Sequence, residues 1–169
     1  MTATPLITTD RTYLQSPDKL TIEQVRMLDI DPDIMRFITD GKPKTGDQSK
    51  QWLETKLREY QKNGYGLMPA YLNCNNEFIG WAGIKHLENT PKIEVGYRLH
   101  KDFWGQGLAT EITLAVIEYA RHQLGINELV AITALENEAS KNVLRKCGFE
   151  YVADSFCYNT EVAFFELKQ

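Results

Sequence analysis

The chain has 169 residues and a formal net charge of −4. That length fits one domain, expected across residues 1–169, with a continuous core of helices on a sheet, and a composition of 43% hydrophobic and 25% charged residues is that of an ordinary globular protein. Basic residues form no long run, which disfavours nucleic-acid binding through phosphates, and the acidic balance suits a cationic acceptor slightly better than an anionic one.

Arg11 to Gln15 reads as a short strand, and Ser16-Pro17-Asp18 as the opening of a helix, with serine as cap and proline where its missing N–H is harmless. The apolar spacing from Leu20 through Ile22, Val25, Met27 and Leu28 is helical. Asp31-Pro32-Asp33 breaks that helix and starts a second short turn through Ile34, Met35 and Phe37. GKPKTGD is a loop. A helix over 47–62 places Trp52, Leu53, Leu57 and Tyr60 on one face, and Asn63-Gly64 supplies a left-handed stop. Strands over 67–72 and 78–87 form a hairpin around NCNNE, with Pro69 expected at an edge or a bulge because it cannot donate to a ladder. A strand over 92–99 turns Ile93, Val95, Tyr97 and Leu99 to one face and Glu94, Gly96, Arg98 and His100 to the other. A helix over 107–123 ends at Gly125, followed by a strand over 126–135, a helix over 136–146 ended by Gly148, and strands over 151–157 and 162–167. This order describes a mixed α/β layer.

Gly105 and Gly107, in DFWGQGLATE, lie where a strand hands over to a helix whose first N–H groups have no internal partners. Such a turn binds a diphosphate or another multi-anion, because glycine admits a bulky ligand close to the backbone and the helix dipole favours negative charge. A tight turn without a ligand is the other reading. Thr110 replaces the third glycine of a dinucleotide fingerprint and no Gly-Lys-Ser/Thr follows, which excludes the Rossmann and P-loop patterns.

Several stretches together resemble the GCN5-related N-acetyltransferase (GNAT) family, in the branch typified by the ribosomal-protein alanine acetyltransferases. TDRTYLQ is similar to that branch's opening strand, with Thr12 and Gln15 where leucine and arginine are usual. FIGWAGI resembles its central strand, IEVGYRLHKDFWGQGLATE its signature strand, loop and helix, and NEASKNVLRKCGF its second motif. The resemblance covers nearly the whole chain. It implies an α/β (α+β) fold with a mixed, mostly antiparallel central sheet of about six to seven strands flanked by helices. It also implies acetyl-CoA as cosubstrate, with the pyrophosphate on the backbone of Trp104, Gly105, Gln106, Gly107, Leu108, Ala109 and Thr110. Trp104 stands where the broader family has glutamine or arginine, and this branch commonly uses an aromatic there.

Acetyl transfer to an amine needs a group to take a proton, donors for the thioester oxygen, and a route for the thiolate to leave. Glu94 is the candidate base, acting through water, because its strand leads into the glycine loop; the alternatives are a solvated sheet residue or a partner for Arg98. The resemblance implies that Tyr97, Arg98 and Leu99 pair with pantetheine on a strand that splays from its neighbour. Many relatives carry a proton-donating tyrosine where this chain has Leu144, and the branch suggests Ser140 as the group that polarises the sulfur; an ordinary helix-start serine is the alternative. Asn137 satisfies a pantetheine amide or caps the helix, and Asn142 and Lys146 lie near the coenzyme phosphates, with a solvated surface role as the alternative for Lys146.

His86, His100 and His122 lack a metal-ligand spacing, so no metal is expected, and there is no GxSxG elbow. Trp52, Trp81 and Tyr65 belong to the core or line the acceptor pocket. Cys74, Cys147 and Cys157 are scattered, without a CxxC pair, and read as reduced thiols, with Cys147 and Cys157 in the core. MTATPLITTD has no signal-peptide pattern and no apolar run reaches membrane length, which makes a cytoplasmic protein the expectation. The function expected is an acetyl-CoA-dependent N-acetyltransferase acting by direct transfer to a protein N-terminus or a small amine, as monomer or homodimer, without nucleic acid or membrane partners. The alternative is a non-catalytic acyl-CoA-binding regulatory module.

Overall fold

The alternation from Ile93 to Leu99 builds a strand that packs one face against a helix and turns the other toward a second layer. The computed structural model describes residues 4–168, so the two ends of the expected domain lie outside the described residues. Eight strands form one sheet in the order β1-β2-β3-β4-β5-β6-β8-β7. They are β1 (Ile7–Thr8), β2 (Thr12–Leu14), β3 (Leu67–Leu72), β4 (Phe78–His86), β5 (Ile93–Leu99), β6 (Val130–Ala134), β7 (Phe149–Cys157) and β8 (Thr160–Leu167). Every neighbouring pair is antiparallel except β5 and β6. The mixed, mostly antiparallel architecture is as expected, and the sheet exceeds six to seven strands by β1. Two residues are too short to show a period; β1 exists because Ile7 and Thr8 pair with Leu14 and Tyr13.

Helices cover both faces. On one side α4 (Leu108–Leu124) and α5 (Glu138–Lys146) bury Leu108, Ile112, Val116 and Leu144 with Val95, Leu99 and Phe165 in the larger core. On the other, α1 (Ile22–Asp29), α2 (Pro32–Met35) and α3 (Gly46–Asn63) accompany a smaller core of Leu20, Val25, Leu28, Ile34, Leu53, Leu67 and Trp81. Ser16 does not cap a helix: its hydroxyl turns to the Asp18 carboxylate, and Pro17–Lys19 is a single 3-10 turn. Leu20 is extended and buried, and α1 starts only after Thr21, which forms a reciprocal capping box with Gln24.

Pro69 sits at a local edge beside a bulge. β2 has ended there, Gln15 N–H donates to the Pro69 carbonyl at 3.1 Å, and the register with β4 shifts between Ala70 and Tyr71. β6 is shorter than 126–135, because Ile126 is spent on ending α4: its N–H bonds the Ala120 carbonyl at 2.9 Å beside the left-handed Gly125. β7 and β8 run longer than expected and meet in a two-residue turn, Tyr158-Asn159, with φ of 50° and 61°. That is the primed turn whose twist suits a hairpin, although tyrosine rarely occupies positive φ.

Candidate active site

The site begins with the glycine loop. After β5, His100 Nδ1 accepts the N–H of Asp102 at the start of a 3-10 turn over Lys101–Phe103. Gly105 and Gly107 then adopt φ of 71° and 78°, and Gly107 is the N-cap of α4. Glycine has no side chain to cap with, and among the described residues no side-chain cap satisfies the opening N–H groups of α4. The loop is braced. Trp104 Nε1 donates to the Leu99 carbonyl at 2.9 Å, Gln106 Nε2 to the Asp102 carbonyl at 3.0 Å, and Arg11 Nη1 to the Gln106 carbonyl at 2.8 Å.

Arg11 carries a role that sequence reasoning did not assign. Its Nε donates to Glu111 Oε2 at 2.7 Å, while Glu111 Oε1 accepts from Arg11 N–H at 2.9 Å and the Thr9 hydroxyl at 2.7 Å. Burial raises the Glu111 pKa, but the bonds from Thr9 and Arg11 together with the Arg11 charge outweigh it, and the net shift is downward. The carboxylate in the first turn of α4 is thereby tied to the strand end at Thr9 and Arg11. The TDR tripeptide within the similar opening strand was the available signal, but nothing in sequence connects it to Glu111.

Beside the loop, β5 and β6 pair in parallel at Glu94↔Val130, the single register position joining them among the described residues. His100 N–H donates to Ile79 of β4, so by the alternation of the ladder the backbone groups of Tyr97 and Leu99 point away from β4, toward the opening between β5 and β6, whereas those of Arg98 face β4, which corrects its expected pairing with pantetheine. Leu99 gives its carbonyl to Trp104. The Tyr97 side chain lies on the α4 side, where its hydroxyl donates to Ser140 Oγ at 3.2 Å. Burial pushes the Tyr97 phenol pKa up, against a smaller lowering from the Ser140 bond.

Asn137 caps α5, its Oδ1 accepting the Ser140 N–H at 3.2 Å. Asn142 and Lys146 are exposed on the same helix, and Asn142 Oδ1 accepts from Arg145 at 3.0 Å. Leu144 is only 2% exposed inside the larger core, so the position that is tyrosine in many relatives is used here for packing.

The opposite face of β5 holds the remaining chemistry. Glu94 is buried, and its partner is not Arg98: Oε2 accepts from Lys85 Nζ at 2.8 Å across the β4–β5 pair and from the Tyr158 hydroxyl at 3.0 Å. Lys85 Nζ also contacts the Tyr158 hydroxyl and lies 4.4 Å from the ring centroid. Burial and then the Glu94 charge push the Tyr158 pKa upward, so it stays a phenol. Oε1 carries no hydrogen bond among the described residues and is not sealed from solvent. Tyr158 was missed in the sequence because it belongs to a turn 64 residues after Glu94 in the chain.

Arg98 instead bonds Asp29, with Nη1 2.9 Å from Oδ1, and Asp29 Oδ2 accepts from Ser49 at 2.6 Å. Its guanidinium lies 5.0 Å from the Trp81 ring centroid, and burial lowers its pKa against the raising effect of Asp29. Between these groups and the GKPKTGD loop runs a groove with two adjoining cavities of about 460 and 400 Å³ that share Thr39, Lys44, Gln48 and Tyr158. Its ionisable lining is Lys42, Lys44, Lys56, Lys85 and Arg98 against Asp40. The lining is basic although the whole chain is acidic. Trp52 lines the groove and packs at a tilt against the buried Trp81 with centroids 5.6 Å apart, whereas Tyr65 hydrogen-bonds His86 away from it.

The structure thus brings Glu94, Arg98 and the Tyr97 backbone together, sets Ser140 behind Tyr97, and places the glycine loop at the strand's end. His100 serves as a local cap, and His122 is exposed on Glu118. Cys147 is buried, Cys157 only partly so, which corrects its expected core position, and Cys74 is exposed. Among the described residues no helix is long and apolar enough to cross a membrane, and no group of three His, Cys, Asp or Glu residues is placed to hold a metal ion.

A strand opening from its parallel neighbour into a glycine turn agrees with the acetyltransferase (GNAT) domain, whose family model matches residues 11–150. The chain belongs to the GNAT acetyltransferases. It is 33% identical over 140 residues to the FsC-acetyl coenzyme A-N(2)-transacetylase of Aspergillus fumigatus, a match covering 76% of this chain and 58% of that protein, little more than half of its length. Its fold is similar to that of an acetyltransferase from Agrobacterium tumefaciens, with a TM-score of 0.80 at 22% identity over 100% of this chain and 97% of that one. The GNAT fold is also shared with RimL, a ribosomal L7/L12 alpha-N-protein acetyltransferase solved with coenzyme A, at a TM-score of 0.76 and 15% identity over 96% and 97% of the two chains. The ribosomal-protein branch named by the sequence motifs is thus represented among its structural neighbours.

Proposed function

We propose that this GNAT chain is a single acetyl-CoA-dependent N-acetyltransferase domain that moves an acetyl group directly to a primary amine. The observation that carries this reading is the opening between β5 and β6, which are joined at one register position among the described residues. The coenzyme enters from the α4 and α5 side, with its pyrophosphate on the N–H groups after Trp104 and its pantetheine on Tyr97 and Leu99. The acceptor enters from the basic groove. The name of the Aspergillus fumigatus relative, a coenzyme A N(2)-transacetylase, supports an amine acceptor.

An amine at neutral pH is mostly protonated, with reference pKa values of ~7.7 to 8.0 for an α-amine and ~10.4 for a lysine. Glu94 takes the proton through a water on its open Oε1, while Lys85 and Tyr158 hold Oε2 and fix the carboxylate's orientation. The amine nitrogen forms its bond to the acetyl carbon, backbone N–H groups of β5 receive the charge on the oxygen, and the carbon–sulfur bond then breaks. The Ser140 hydroxyl hydrogen-bonds the departing sulfur, which leaves as a thiolate and takes its proton from solvent. The hydroxyl is free to do so because Tyr97 donates to the Ser140 oxygen and leaves the serine O–H unspent.

Calorimetric titration with acetyl-CoA, with ATP and NAD as controls, followed by thiol release over a panel of amines, tests this reading. Selective binding with amine-dependent release is expected, and Glu94→Gln lowers kcat by about 100-fold with coenzyme affinity unchanged. No acetyl-CoA binding would refute the site, and binding without release for any amine would refute the transferase.

A further inference from the structure

Arg98 uses only part of its guanidinium. Nη1 is taken by Asp29, whereas Nε is buried with no partner among the described residues and Nη2 makes no hydrogen bond there. The side chain is only 10% exposed, yet it lines the acceptor groove. Nε and Nη2 form the edge of a guanidinium that grips both oxygens of a carboxylate in parallel. A buried N–H without an acceptor is costly in a folded protein, and its persistence calls for a missing partner.

The surroundings narrow the chemistry of that partner. Asp29 and Trp81 fix the guanidinium in place, so the unpartnered edge is preorganised. Lys44 stands across the groove on a backbone held by its N–H to the Asp29 carbonyl at 3.0 Å and by Arg26 to its own carbonyl at 2.7 Å. Among the described residues neither Lys44 nor Lys42 finds a carboxylate for its ammonium group, whereas Lys56 and Lys85 are paired with Glu59 and Glu94. An acceptor carrying only positive charge meets repulsion from this lining. An acceptor with a carboxylate on the same small molecule as its amine meets a two-point clamp. Arg98 directly follows Tyr97, whose backbone faces the opening, so a carboxylate on Arg98 lies within a few bonds' reach of an amine delivered there. A cavity of about 400 Å³ suits a compact molecule.

We propose that the acceptor is a small aminocarboxylate whose carboxylate is held on the Nε and Nη2 edge of Arg98, with Lys44 completing the charge. This rests on the transferase reading above and assigns its substrate class. The unpaired Arg98 edge is thereby given its acceptor, and the basic groove in an acidic protein is given its function.

The test is thiol release from acetyl-CoA by the full chain with matched pairs: glycine and glycinamide, L-alanine and L-alaninamide, β-alanine and its amide. Peptides with Asp or Asn at the second residue form a separate arm. The carboxylates are expected to exceed their carboxamides by about 10- to 100-fold in kcat/KM. The carboxamide amine is less basic and more of it is unprotonated, a bias that runs against this outcome. Arg98→Lys keeps a cation opposite Asp29 but loses the fork, and is expected to erase most of the preference while acetyl-CoA affinity and melting temperature hold. The paired Asp29→Asn/Arg98→Gln variant removes both buried charges together and is expected to do the same. Equal rates on acid and amide, or a preference untouched in Arg98→Lys, would overturn the assignment while leaving the transferase standing. Use of Asp peptides without free aminocarboxylates would move the carboxylate to a peptide and overturn the small-acceptor assignment. No release with any amine would remove the transferase and this assignment with it.

Discussion

Replacing Glu111 with glutamine isolates what the carboxylate does for the glycine loop. Glutamine keeps one acceptor oxygen for Thr9 and the Arg11 N–H, now as neutral bonds, and turns a second donor toward Arg11 Nε where Oε2 had accepted at 2.7 Å. Weakening two charge-assisted bonds costs about 0.5 to 1 kcal/mol each. Arg11 is 49% exposed, so losing its ion pair adds no more than about 1 kcal/mol after screening by solvent. The sum is about 2 kcal/mol, or about 4 to 8 °C in melting temperature for a chain of this size. Freed from Glu111, Arg11 also holds the Gln106 carbonyl less firmly, and acetyl-CoA affinity is expected to fall by about three- to tenfold. The Glu111 pKa is depressed in the fold, so the carboxylate's stabilisation is complete above its ordinary value of 4.5 and is lost as pH falls through the lower folded value. Urea and thermal unfolding of parent and variant from pH 8 to pH 4 are therefore expected to show a constant gap above about pH 5 that begins to close only below the ordinary carboxylate value. A shift under about 1 °C at pH 7, or a gap that closes near neutrality, would refute the brace.

Tyr97→Phe and Ser140→Ala are each expected to lower kcat by about tenfold with little change in acetyl-CoA affinity, and the double variant to lose no more than the worse single one; additive losses in single-turnover kinetics would show that the two hydroxyls do not act as one chain. Gly80→Ala is expected to destabilise by at least about 3 kcal/mol in urea, because a Cβ there would lie 2.1 Å from the Arg98 carbonyl oxygen and 2.8 Å from the Leu99 Cα. A smaller loss would mean that β4 and β5 can part at no cost. Burial pushes the Cys147 thiol to about 11, so at pH 8 a thiol reagent is expected to modify exposed Cys74 quickly and Cys147 only after denaturation. Equal native reactivity of the two would contradict the packing around α5.

The long elements and the glycine turn were readable in the sequence because their causes are local. Side-chain period made β5 and α4 visible, left-handed glycines marked the ends at Gly64 and Gly125, and Gly105 and Gly107 announced an unsatisfied helix start. Two ordered motifs placed Glu94, Tyr97 and Ser140 on the elements where they are found. Elements that depend on a partner were hidden or misplaced: β1 needs β2 to exist, β6 loses Ile126 to the end of α4, and Ser16 yields to the stronger capping pair of Thr21 and Gln24. Partner choice was out of reach as well. Glu94 and Arg98 stand two alternations apart on one strand face, yet tertiary packing sends one to Lys85 and Tyr158 and the other to Asp29. Net charge is a sum over the whole surface, whereas a groove is lined by whichever side chains the fold gathers there. The local sequence determined the glycine turn that opens α4; only the approach of α1, α3 and the Tyr158 hairpin to β5 decided which charges face the groove, because those contacts join residues far apart in the chain.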